Sequence, residues 1–135
     1  MSVVKNLVYI NRKAPYGTIY ALESLEVVLI GAAFDQNVQL IFMDDGVYQL
    51  TTQQSPKGIG MKNFSKTYAA LGDYDIKEIY VDQQSLADRG LSIDDLQPLV
   101  YEDEDNDWEE KSSIHLVDRN RISDVIEGAD VLLNF

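Results

Sequence analysis

Cysteine is absent from this chain of 135 residues, and with it go disulfide bonds, thiolate metal sites and any persulfide chemistry carried on the chain itself. Long apolar runs are missing too. The longest, VVLIGAAF at Val27–Phe34, falls far short of the roughly 20 residues needed to cross a bilayer, so no membrane span is expected. The N-terminus, MSVVKNLVYINRK, has too short an apolar stretch and no small-residue cleavage site, so it reads as a first strand and the expected location is the cytoplasm. Positive charge is scarce: 11 Lys and Arg stand against 23 Asp and Glu, a formal net charge of −12. The cations are scattered along the chain, which argues against direct contact with nucleic acid or anionic lipid. Histidine occurs once, at His115, inside a predicted strand and with no second imidazole or thiolate to complete a metal site or a nucleophilic triad. It reads as a structural or edge residue.

What is present fits a single domain, residues 1–135, with the 45% hydrophobic and 25% charged content of a globular protein. Val3–Ile10 is β-branched and aromatic-rich and predicts a strand, and NRKAPYG after it is a loop. Thr18 offers an N-cap to a helix over residues 18–35, where Ile19, Leu22, Leu25, Leu29 and Ala32 recur at helical spacing. Val27, Val28 and Ile30 widen its apolar stripe enough to predict a second buried contact, with another subunit. Asn37–Met43 is a near-continuous apolar run, as expected of a strand covered on both faces. A short helix and loop follow, then a helix with Met61, Phe64, Tyr68 and Leu71 on one face that ends at Gly72. Ile76–Val81 predicts a third strand, QSLADRGLSIDDL a short helix stopped by Gly90, SIHLVD a fourth strand, RNRISDVIEGAD a helix with Ile122, Val125, Ile126 and Ala129 inward, and VLLNF a fifth strand. Between them lies EDEDNDWEE, seven acids in nine residues around the one tryptophan. Such a block repels itself, so residues from about 99 to 112 are expected to form a solvated acidic insertion loop. Strands alternating with helices imply an α/β fold with a doubly wound, parallel, five-stranded sheet, and the flavodoxin-like order 2-1-3-4-5 is the first expectation.

In open α/β sheets ligands bind beyond the carboxyl ends of the strands, which directs attention to NRKAPYGT, MDDGVYQL, VDQQSL and VDRN. None holds a phosphate-binding G-x-x-x-x-G-K-[ST], and GIG at Gly58–Gly60 is only a fragment of a dinucleotide fingerprint. Asp44 and Asp45 could share a proton or a divalent cation, but aspartates so placed also cap the following helix, and capping is expected for at least one. Asp82 closes the third strand, as the phosphate-accepting aspartate of a receiver domain does. A receiver also needs acidic residues after the first strand and a lysine after the fifth. Here the first strand runs into Asn11, Arg12 and Lys13 and the fifth ends at Phe135, so that reading loses both supports. Two function classes stand at this point: a stand-alone small-molecule binder or Mg²⁺-dependent enzyme using Asp44, Asp45 and Asp82, and a non-catalytic component of a larger assembly.

APYGT (Ala14–Thr18), FMDDGVYQL (Phe42–Leu50), YAALGDYDI (Tyr68–Ile76), SLADRGL (Ser85–Leu91) and ADVLLNF (Ala129–Phe135) closely resemble the DsrE/DsrF-like sulfur-relay family, and within it the TusC, or DsrF, branch. The likeness runs in order over most of the chain, with DGVYQL its most specific piece. The resemblance implies a subunit of a heterohexamer whose other chains are TusB/DsrH-like and TusD/DsrE-like, passing persulfide sulfur to a TusE/DsrC-like acceptor. The sulfur serves 2-thiolation of the tRNA wobble uridine or, in the Dsr counterpart, sulfur oxidation. It implies no cofactor, no metal and no catalytic residue on this chain. In the TusD or DsrE chains the sulfur-accepting cysteine lies just after the third strand, and counting back from SLADRG places that position at Asp82. A carboxylate oxygen cannot form or release a sulfane bond, so the resemblance makes Asp82 the marker of a site whose thiol is gone.

Overall fold

A computed structural model of the chain describes residues 5–12, 28, 36–51, 71, 76–96 and 98–134. The helices expected over residues 18–35 and 61–72, with the inferred subunit-facing stripe, lie outside the described residues apart from Val28 and Leu71, which are both buried. The described strands are β1 (Asn6–Asn11), β2 (Asn37–Phe42), β3 (Glu78–Asp82), β4 (Val100–Asp103), β5 (Glu109–Ser112), β6 (Ile114–Val117) and β7 (Val131–Asn134). Among the described residues the helices are α1 (Gln83–Asp88) and α2 (Arg119–Glu127), with 3-10 turns at Asp44–Leu50, Ile93–Asp95 and Glu104–Asn106. No helix among them is long and apolar enough to cross a membrane.

Five strands form one parallel sheet in the order β6-β3-β2-β1-β7. The expected α/β architecture with a five-stranded parallel sheet is therefore present, but the flavodoxin-like order is not. Numbering only the parallel strands along the chain, the order is 4-3-2-1-5. Polar contacts that hydrophobic patterning does not register accompany this order. At the strand entrances the Asn37 amide donates to the Asn6 side chain (2.8 Å) and the Asn6 backbone N–H donates to Asp130 (2.8 Å). Asn6 thereby ties β2 to one side of β1 and β7 to the other. Gln39 then donates to Glu78 across β2 and β3.

This order dictates the layering. The steps β1 to β2, β2 to β3 and β3 to β6 all move the same way whereas β6 to β7 returns across the sheet, which with right-handed connections puts α2 on the face opposite Val28, Leu71 and Leu86. Two core clusters result. Tyr9, Leu40, Phe42, Ile79, Val81 and Ile114 pack with Val28, Leu71 and Leu86 on the first face. Val8, Ile10, Ile41 and Tyr80 pack with Ile122 and Val125 of α2 on the second. Each fully buried Val, Leu or Ile contributes about 1.5–3 kcal/mol. The predicted inward positions of α2 hold: Ile122 and Val125 are buried, and Ile126 and Ala129 pack against the same cluster. Gly90 stops α1 as expected, with φ at +67° in the left-handed C′ position.

The acidic segment departs from the expected loop. It folds as an antiparallel hairpin of β4 and β5, with Tyr101 opposite Lys111 and Asp103 opposite Glu109. Self-repulsion is relieved locally: Lys111 Nζ sits 2.7 Å from Asp103 Oδ2, and the Asp105 N–H donates to Asp103 Oδ1 at 3.1 Å. The Lys111 hydrogen bond holds the Asp103 carboxyl below the usual carboxylate range, and Asp103 in turn raises Lys111. Asp107 and Trp108 both take left-handed conformations at the tip (φ 58° and 60°), and Trp108 is 62% exposed.

A candidate site of aspartates and arginines at the carboxyl edge of the sheet

Because the main strands are parallel, the exits of β1, β2, β3 and β6 share one edge, and each delivers a charged or polar side chain there: Arg12, Asp44, Asp82 and Arg119. Asp82 has no exposed surface. Its Oδ2 accepts from the Ser85 N–H (3.2 Å), the Ser85 hydroxyl (2.6 Å), Arg119 Nε (2.8 Å) and Arg119 Nη2 (2.8 Å). Among the described residues, no donor reaches the buried Oδ1. The Ser85 hydroxyl works in both directions, donating to Asp82 and accepting from the Asp44 N–H at 2.8 Å. That contact holds Asp44 at φ +52°, a left-handed value uncommon outside glycine.

The other two predicted carboxylates are also matched with arginines. Asp45 Oδ1 accepts from Arg89 Nε (3.1 Å) and Nη2 (3.0 Å), while Arg89 Nη1 donates to the Ser85 carbonyl (3.1 Å). Asp44 lies between Arg12 (3.7 Å) and Arg119 (3.9 Å) with about half of each side chain in solvent, pairs of the kind that contribute about 0–1 kcal/mol. Arg119 therefore joins Asp44 and Asp82 into one cluster.

Capping falls to different aspartates than expected. The 3-10 turn Asp44–Leu50 has Met43 at its N-cap with no side-chain cap, and Asp44 and Asp45 occupy its first turn facing arginines. The helix caps are Asp82, which accepts from the Ser85 N–H at the start of α1, and Asp118, which accepts from the Arg121 N–H (2.9 Å) at the start of α2. Both close a strand with the same Val-Asp pair, a repeated signal that the reading of isolated aspartates passed over. Gly46 has a steric role: a Cβ there would stand 1.9 Å from the Asn11 carbonyl oxygen. The glycine of DDGVYQL lets this turn lie against the end of β1, whose Asn11 carbonyl accepts from the Met43 N–H at 3.1 Å.

Sequence reasoning found Asp82 and its place at the end of β3 but missed Ser85, Arg89 and Arg119, the groups that fix its surroundings. His115 lies on edge strand β6, exposed, with its ring tilted against Tyr80 and Nε2 3.3 Å from the Lys77 carbonyl. Chemically, the cluster immobilises a carboxylate. A general base or metal ligand must present a lone pair to its target; Asp82 Oδ2 is engaged by Ser85 and Arg119, and Oδ1 is closed off from solvent.

The family model described as DsrE/DsrF-like matches residues 5–135. The chain is 56% identical over 133 residues, 98% of each sequence, to the intracellular sulfur oxidation protein DsrF of Allochromatium vinosum. It is 37% identical over 93 residues to a protein TusC homolog of Vibrio parahaemolyticus, covering 69% of this chain and 79% of the relative. Against a protein TusC homolog of Vibrio vulnificus it is 30% identical over 132 residues, 98% of this chain and all of the relative. The crystal structure of the YchN protein from E. coli superposes with a TM-score of 0.73 at 16% identity, covering 98% of this chain and all of that one, and so shares the fold.

Proposed function

This chain belongs to the DsrE/DsrF-like family, and from that membership we propose that it is a cysteine-free accessory subunit of a cytoplasmic sulfur-relay assembly. Its partners are a TusD/DsrE-like chain that carries the persulfide and a TusB/DsrH-like chain, with a TusE/DsrC-like acceptor reached through the complex. The likeness to DsrF at 56%, against 30–37% to the TusC homologs, favours the sulfur-oxidation branch over tRNA thiolation.

The observation that carries this reading is the state of Asp82. On the family resemblance Asp82 stands where the sulfur-carrying chains have their cysteine, and Asp82 is a buried carboxylate clasped by Ser85 and Arg119. Transfer of sulfane sulfur needs a thiolate that attacks and is then released, and this chain has none. Its contribution is therefore structural: it presents surfaces to the chain that reacts.

Co-expressed with its DsrE-like and DsrH-like partners, the chain is expected to elute from a sizing column as one assembly containing all three. Mass spectrometry of the peak checks composition. A monomer persisting in the presence of both partners would contradict the assignment.

A further inference from the structure

At the root of the acidic hairpin lies an open groove of about 470 Å³. It is lined by Leu96, Leu99 and Ile114, which are buried, and by Ile93 and Val100, which are 44% and 36% exposed. Apolar side chains gathered in one open groove mark a contact surface, as scattered ones do not.

The rim of this groove is acidic. Asp94 lines it, and so do Val100 and Ser112, which face each other across β4 and β5. Side chains alternate along a strand, so the next pair on that same face is Glu102 and Glu110, again directly opposed. Both are exposed, and no ion pair among the described residues holds them or Asp94. Like charges opposed in this way destabilise a strand pair. The lysines beside the hairpin belong to its other face: Lys111 opposes Tyr101 and pairs with Asp103, and Lys77 stands over the Tyr101 ring.

Charge and apolarity together select the occupant. Seven carboxylates against one ammonium in residues 100–112 repel nucleic acid and anionic lipid. A second copy of the chain, at −12, is repelled as well. A neutral apolar ligand would fill the groove but leave Glu102 and Glu110 opposed, whereas a cation between them relieves the repulsion. We propose that the groove and the adjoining face of the hairpin dock a cationic amphipathic segment of a partner protein. Its apolar side chains enter the groove, and its Lys or Arg side chains meet Glu102, Glu110 and Asp94. The surface is separate from the cluster around Asp82 and stands whether or not the relay assignment holds.

The probe is a peptide of repeated Leu-Lys-Lys-Leu units, titrated into the uniformly ¹⁵N-labelled full chain. Polylysine is the control for charge alone. Saturable shifts are expected at the amides of Ile93, Leu99, Val100, Glu102 and Glu110, and polylysine should bind at least about tenfold more weakly. Glu110→Gln should weaken the peptide about threefold, and Glu102→Gln combined with it about tenfold, the scale of exposed ion pairs. Glu109→Gln removes the same charge one residue away but on the other face, and should leave affinity unchanged. Ile93→Ala, outside the hairpin, should cost about threefold through lost apolar contact. The proposal is overturned if the peptide gives no saturable shifts at the groove, if polylysine binds as tightly, or if Ile93→Ala keeps full affinity. Equal losses from Glu109→Gln and Glu110→Gln would overturn it too, since they would mark attraction to bulk charge.

Discussion

Replacing Asp82 by alanine is expected to lower the unfolding free energy by about 3 kcal/mol, the sum of a charged hydrogen bond and a helix cap, and the melting temperature by roughly 10 °C. The substitution strips one acceptor from Ser85 and Arg119 together. Arg119 can turn to water, since about half its side chain is already exposed. The hydroxyl and N–H of Ser85 cannot, because Ser85 is buried, and buried donors without partners are costly. Asp82→Asn should fall between wild type and alanine: its amide oxygen can replace Oδ2, but the charge is lost and the NH₂ then lies where Oδ1 has no described partner. Denaturant unfolding of the three proteins measures the series. Were Asp82 instead a reacting group, Asp82→Asn would abolish a metal-dependent activity while leaving stability nearly unchanged.

Gly46→Ala is expected to destabilise the chain by about 3 kcal/mol or more, at or beyond the upper end of ordinary overpacking. The added Cβ would meet the Asn11 carbonyl oxygen at 1.9 Å and its carbon at 2.5 Å. These are backbone atoms at the end of β1 and cannot rotate aside as a side chain would. Relief requires the 3-10 turn to lift away, which breaks the Met43 N–H bond to Asn11 and disturbs Asp44 and its contact with Ser85. Gly90→Ala supplies the contrast. Nothing lies within 4 Å of its added Cβ, so the cost is that of a left-handed alanine, about 1 kcal/mol. Equal losses at the two glycines would show that the close approach at Gly46 is not what that position requires.

The legible part of the fold was the part written in local pattern. Strand and helix periodicity located all five parallel strands and the inward face of α2, because burial on a sheet or helix repeats along the chain. The strand order was not legible, since strand neighbours meet through residues far apart in sequence, as Asn6 meets Asn37 and Asp130 and as Gln39 meets Glu78. The acidic segment misled for a related reason. Net charge predicted repulsion, whereas the hairpin pairs four residues on each strand and sets Lys111 against Asp103 across them. Asp82 was found by its place at the end of a strand, but its surroundings depend on Arg119, 37 residues away. No spacing rule connects the two.

The central claim, that a thiol-free chain serves the relay through its architecture, is tested most directly by reconstituting the assembly with and without this subunit and following labelled sulfane sulfur from a persulfide donor to the acceptor. The account predicts no label on this chain and a large fall in transfer when it is omitted. Full transfer from the two remaining chains alone would contradict it.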